Sequence, residues 1–152
     1  MKKKPKKLRY SDIDLSLWRE YGDIWTDSLW TIESRDRTGG HELDYHGNYV
    51  PQIATQVFRR YTRENEIVLD LFLGSGTSAI EAARLNRRMV GVELKPDLVD
   101  KVLAKLPAEM AGSRAHILCG DSTSLETVTE VRKALQSMGI AAFTSAKMGI
   151  IT

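Results

Sequence analysis

At 152 residues, 42% of them hydrophobic, the chain is long enough to bury one core and too short for two ordinary domains. No apolar run approaches the roughly 20 residues of a membrane span, and no apolar stretch follows the N-terminal lysines as in a signal peptide, so the sequence predicts a cytoplasmic protein without a membrane partner. Six of the 22 basic residues (Lys2, Lys3, Lys4, Lys6, Lys7 and Arg9) lie in the first nine positions, and in the rest of the chain 16 basic residues face 20 acidic ones.

Residues 1–9 therefore read as a basic, disordered tail that either neutralises phosphates or stays solvated. Residues 10–45 form an N-terminal segment with Trp18, Trp25 and Trp30 among charged residues, broken by Gly39-Gly40; one short helix is predicted there, near Ile13 to Tyr21. Pro51 suits a first helical turn, and Ile53, Val57, Phe58 and Tyr61 share a face, which predicts a helix to Thr62. The apolar run Ile67–Phe72, the turn Gly74-Ser75-Gly76 and the periodic Ala79, Ile80, Ala82, Ala83 and Leu85 read as strand, tight turn and helix.

Arg88–Glu93 is a second predicted strand, followed by a helix from Pro96 with Leu98, Val99, Val102, Leu103 and Leu106 on its apolar face. His116–Cys119 is a third, leading through Gly120-Asp121 to a helix carrying Leu125, Val128, Val131, Leu135 and Met138, with capping-box spacing at Thr123 and Glu126. Three βα units in series imply an α/β fold, a parallel sheet covered by helices. The single cysteine, Cys119, reads as a buried strand residue, with no internal disulfide and no metal site expected; His41 and His116 read as a loop and a strand histidine.

Open parallel sheets bind ligands at the carboxyl ends of their strands, here Asp70 with its glycine turn, Glu93 and Asp121. Two glycines let a ligand approach the backbone and meet amide N–H groups at a helix start. Glu93 is placed to accept hydrogen bonds from ribose hydroxyls, and Asp121 either accepts from an adenine amino group or caps the following helix. Phe72 and Leu73 read equally well as ligand contacts or as core. Gly74–Ala79 also fits G-x-G-x-x-A, the pattern of a nicotinamide dinucleotide site. The carboxylates argue against a pyrophosphate: a site of this charge favours a ligand with a sulfonium and an ammonium group, S-adenosyl-L-methionine.

Asp70-Leu71-Phe72-Leu73-Gly74-Ser75-Gly76-Thr77 resembles the D-x-F-x-G-S-G-T signature of the DNA N6-adenine and N4-cytosine methyltransferases. His46 to Ile53 is similar to a segment that closes over the methionine end of the cofactor in one subgroup, and Gly91-Val92-Glu93 and Gly120-Asp121 resemble the family's next two cofactor motifs. The resemblance implies a class I methyltransferase (Rossmann-like) sheet over residues 46–140, incomplete, with an atypical stretch at 141–152. It makes Asp70, Phe72, Gly74, Ser75 and Gly76 methionine-side contacts, Thr77 a further cofactor contact, Glu93 the ribose ligand and Asp121 the adenine ligand, with His46, Gly47 and Pro51 as flank. DNA is the implied partner, in restriction-modification.

The family activates its target amine with a (D/N/S)-P-P-(Y/F/W) loop, whereas the four prolines here, Pro5, Pro51, Pro96 and Pro107, are nowhere adjacent. The expectation is thus a truncated, frameshifted or split methyltransferase, inactive alone, that meets a complementing catalytic half or forms a homo-oligomer. A non-catalytic cofactor-binding or interaction subunit and an RNA methyltransferase fragment are the alternatives. In the implied fold the strand ending at Asp70 is central, so its far side is expected to be bare, with Ala141–Phe143 as a short substitute strand at most.

Overall fold

The structure, a computed structural model, describes residues 15–41, 47–110, 112–140 and 149–151. The basic tail, His46 and Ala141–Phe143 lie outside the described residues. Among the described residues four parallel strands, β1 (Ile67–Asp70), β2 (Arg88–Glu93), β3 (Ala115–Cys119) and β4 (Gly149–Ile151), stand in the order β3-β2-β1-β4. Among the described residues four α-helices alternate with them: α1 (Pro51–Tyr61), α2 (Thr77–Arg84), α3 (Pro96–Lys105) and α4 (Leu125–Ser137). The N-terminal segment contributes a 3-10 helix, Leu15–Glu20, interrupted at Leu17.

β1 is buried at all four positions and β2 at five of six, as expected of strands covered on both faces. Side-chain alternation divides the core. Val68, Met89 and Ala115 point to one face and pack with Ala54 and Phe58 of α1, Ala79 and Ala82 of α2, and Val102 of α3. Ile67, Leu69, Val90 and Val92 point to the other, under Val131, Ala134 and Leu135 of α4. The carbonyls at the C-terminus of α1 receive the guanidinium of Arg87, which donates to Thr62 O at 2.8 Å and to Thr62 Oγ1 at 3.0 Å, a cation at the negative end of a helix.

Several expectations are corrected. β1 has a partner on each side, since Val68–Asp70 pairs in parallel with Gly149–Ile151. The strand that fills this side is β4, Gly149–Ile151. β1 itself stops at Asp70, because the Asp70 carboxylate accepts from Phe72 N at 3.0 Å and turns the chain. Phe72 is consequently 67% exposed, which removes it from the core, whereas Leu73 is buried. The cap of α4 is Ser124, whose Oγ accepts from Thr127 N at 3.1 Å, one position beyond Thr123 and its expected capping box. Leu125, Leu103 and Tyr61, expected on apolar faces, are exposed, and Gln56 and Thr127 are buried. Cys119 is exposed, because its strand lies at the sheet edge and Cys119 is its last residue.

Candidate functional site

β1, β2 and β3 end side by side at Asp70, Glu93 and Cys119, and their loops are drawn together by Leu73 N bonding to Val92 O (2.9 Å) and Gly120 N to Glu93 O (3.0 Å). Over these ends opens a cavity of about 410 Å³, within the range of small-molecule sites. Leu71 to Gly74 and Thr77 line it after β1, Val92 to Leu94 at the end of β2 and Gly120 to Thr123 after β3, and Gly47, Asn48 and Tyr49 form a further wall.

Glu93 stands at the centre of this row and is buried. Its Oε2 accepts from Gly74 N at 2.7 Å and its Oε1 from Lys95 N at 3.0 Å. Two backbone bonds fix the carboxylate, and a carboxylate has about four acceptor positions, so capacity for two further donors is retained. The Gly74 amide, expected to be open to a ligand, is instead occupied by this negative charge. At the β3 end, Asp121 Oδ1 accepts from Thr123 N (2.8 Å) and Thr123 Oγ1 (2.7 Å), and these bonds hold its carboxyl below the usual carboxylate range. It is exposed and lines the cavity.

The residues read from the sequence fall into two layers. Gly47, Phe72, Gly74, Thr77, Glu93 and Asp121 line the cavity. Asp70, Ser75, Gly76 and Pro51 do not. Asp70 is buried beneath the loop, accepting from Phe72 N and from Ser78 Oγ, so it shapes the turn. Ser75 Oγ donates to Asn48 Oδ1 and ties the turn to the further wall. Gly76 precedes α2 at φ +86°, where a Cβ would stand 2.6 Å from Val102 Cγ2, and Pro51 opens α1.

Sequence reasoning missed what holds that wall. Arg35 Nη1 donates to Asn48 O (3.3 Å) and Tyr49 O (3.1 Å), while Gln52 accepts from Asp36 N (3.0 Å) and donates to Ser34 O (2.6 Å). Tyr49 lines the cavity, and desolvation of its phenol, with the charge of Asp70, pushes that phenol well above the ordinary range. Behind the wall lies a carboxylate on α2 that the sequence reading did not single out: Glu81 is 1% exposed. His41, read as a loop histidine, is buried with Nε2 2.8 Å from Glu81 Oε1; Thr55 Oγ1 donates to Oε2 at 2.5 Å and Arg84 to Oε1 at 2.7 Å. Among the described residues no three His, Cys, Asp or Glu side chains gather as metal ligands, and no helix is long and apolar enough to cross a membrane.

Residues 1–105 match the family model described as DNA methylase. The type II methyltransferase M2.DpnII of Streptococcus pneumoniae is 28% identical over 96 residues, covering 63% of this chain and 34% of the relative. The type II methyltransferase M2.LlaDCHI of Lactococcus lactis subsp. cremoris is 34% identical over 76 residues, 49% of this chain and 26% of the relative. Among solved structures, a putative DNA modification methylase from Thermus thermophilus, complexed with S-adenosyl-L-methionine, superposes with a TM-score of 0.40 at 33% identity, over 47% of this chain and 30% of that one. The chain thus spans about a third or less of the length of these relatives.

Proposed function

The chain belongs to the DNA methylase family, and from that premise we propose that its cavity binds S-adenosyl-L-methionine as the cofactor portion of a DNA methyltransferase that modifies the exocyclic amine of adenine or cytosine. The observation that carries this reading is the position of Glu93. Its carboxylate occupies the amide of the glycine turn, where a dinucleotide's pyrophosphate would otherwise sit, and it keeps acceptor capacity for a pair of hydroxyls.

The strand order supports one direction for the cofactor. Asp121 follows β3, Glu93 ends β2 and the glycine turn follows β1, so adenine, ribose and methionine lie across three neighbouring strands, a span of about 10 Å between the outer two. Asp121 accepts from the adenine amino group and Glu93 from the ribose diol. Phe72, Gly74 and Thr77, with Gly47, surround the methionine; Asp70, Ser75, Gly76 and Pro51 shape the loops that carry them. The cofactor supplies an electrophilic methyl on a sulfonium, and two carboxylates on the rim complement its positive charge. DNA as the substrate rests on the family.

Calorimetry tests the reading. The full chain is expected to bind S-adenosyl-L-methionine and to give no response to NADH. Because a hydrogen bond to a charged group contributes about 1.5–3 kcal/mol, Glu93→Ala is expected to weaken the cofactor by about tenfold or more. Unchanged affinity in the variant would remove Glu93 from the site, and an equal response to both ligands would restore the dinucleotide.

A further inference from the structure

Two flanks of the cavity's outer wall converge on one buried side chain that does not itself touch the cavity. His41 precedes the wall residues Gly47, Asn48 and Tyr49, and Thr55 follows them in α1. Both bond to Glu81, His41 to Oε1 at 2.8 Å and Thr55 to Oε2 at 2.5 Å. His41 and Thr55, 14 positions apart in the sequence, are therefore held on a single carboxylate. A second route leads to the same place. Arg84 bonds Glu81 Oε1 at 2.7 Å and reaches Asp36 Oδ2 at 3.1 Å, and the neighbouring Arg35 holds the carbonyls of Asn48 and Tyr49.

We infer that Glu81 is a positioning residue for the methionine end of the cofactor, its carboxylate holding the wall of Gly47, Asn48 and Tyr49 against the glycine turn. The inference rests on the cofactor reading above and concerns one end of the ligand only. The wall meets the β1 side of the site, where Ser75 Oγ bonds Asn48 Oδ1, whereas the adenine and ribose positions at Asp121 and Glu93 belong to the β3 and β2 loops. Stability alone gives little reason for an acid here. Taking a carboxylate out of water is costly, and an apolar side chain of similar volume often serves a core as well or better. The acid does what an apolar residue cannot: it bonds His41 of the N-terminal segment and Thr55 of α1, two separate stretches, and through Arg84 of its own helix it is linked to Asp36, which fixes their relative positions.

The test compares S-adenosyl-L-methionine with 5′-methylthioadenosine, which keeps the adenine and ribose and lacks the amino-acid end. Both are titrated by calorimetry into wild type, Glu81→Ala, Glu81→Gln and Thr55→Val, at a temperature where circular dichroism shows each protein folded. Glu81→Ala is expected to lose about tenfold in affinity for S-adenosyl-L-methionine and less than about twofold for 5′-methylthioadenosine. Glu81→Gln, which keeps one acceptor oxygen, recovers part of the loss. Thr55→Val, which cuts one arm and is nearly isosteric, loses about threefold for the full cofactor alone, and these two variants carry the test if Glu81→Ala does not fold. Equal weakening of the two ligands, or no change in either, overturns the inference and leaves the cofactor reading intact. A wild-type protein that binds neither ligand overturns the cofactor reading itself, and the inference with it.

Discussion

Replacing Gly76 by alanine isolates one contact on which the glycine turn depends. Gly76 sits at φ +86°, ψ 25°, the left-handed region, which costs a residue with a Cβ roughly 1–2 kcal/mol. The added methyl would stand 2.6 Å from Cγ2 and 3.0 Å from Cγ1 of Val102. Val102 is fully buried in α3, and a β-branched side chain in a helix has essentially one rotamer, so it cannot swing away. Backbone movement of α2 or α3 must absorb the clash, at about 1–3 kcal/mol. The sum, about 2–5 kcal/mol, is a large share of the ~5–15 kcal/mol that stabilises a domain, and 3 kcal/mol of it corresponds to a fall in Tm of roughly 6–12 °C. Urea unfolding followed by circular dichroism measures it. The clash component is separated by a double-mutant cycle with Val102→Ala: the double variant is expected to cost less than the sum of the two single ones by about 1–3 kcal/mol. Strict additivity, or a Gly76→Ala protein within about 0.5 kcal/mol of wild type, would refute the close approach of α2 and α3 at this turn.

Further outcomes follow from the same geometry. Thr38 bonds and Arg84 lower the Asp36 carboxyl to about 2, below its unfolded value, so its contribution is present above pH 4 and is lost as pH falls through 2; Asp36→Asn is expected to flatten that part of the acid limb in Tm measured against pH. Tyr49 is raised, so its neutral form is favoured by folding and its contribution is lost as pH climbs beyond the unfolded value of about 10. An absorbance titration should accordingly leave one phenol protonated at a pH where exposed tyrosines have ionised, and Tyr49→Phe should abolish that late phase. Since no two of the four prolines adjoin, the 152-residue chain assayed alone with tritiated cofactor and mixed-sequence DNA is expected to give background counts. Robust incorporation there would mean that the amine is activated by groups other than a proline-paired loop.

The βα units were legible because each apolar run is bounded by glycine, proline or a cluster of polar residues, and because parallel strands buried on both faces need no alternation to be recognised. The row Asp70, Glu93, Asp121 was legible for a related reason: strand ends in such a sheet converge whatever the helices do. What escaped was set by distant partners. Glu81 sits among Ala79, Ile80 and Ala82, where periodicity reads a single acid as a solvated position; its burial depends on His41, 40 positions away, and Thr55, 26 away. The exposure of Phe72 follows from an Asp70 side chain that ends β1 two residues early, and that of Cys119 from an edge position no local pattern encodes. A three-residue strand such as Gly149–Ile151 carries too few positions to show a period at all.

The place of β4 has a bearing on the order in which the sheet assembles. Ile67 pairs with Arg88 and Met89 with Ala115, separations of 21 and 26 positions, whereas Val68 pairs with Gly149, 81 positions on. By loop length alone, closing the last pair costs about 1.2 kcal/mol more than closing the first. A growing chain can zip β1, β2 and β3 in sequence, but the free edge of β1 has to wait for its neighbour, and at ~5–20 residues per second about 80 residues take roughly 4–16 s to emerge. For that interval β1, an interior strand among those described, is an edge strand, with the carbonyls and amides of Val68 to Asp70 open to any extended segment that arrives first. The β4 strand of a neighbouring copy has the right register to be that segment, so crowded synthesis favours strand exchange between chains, and dilution favours each chain closing on itself.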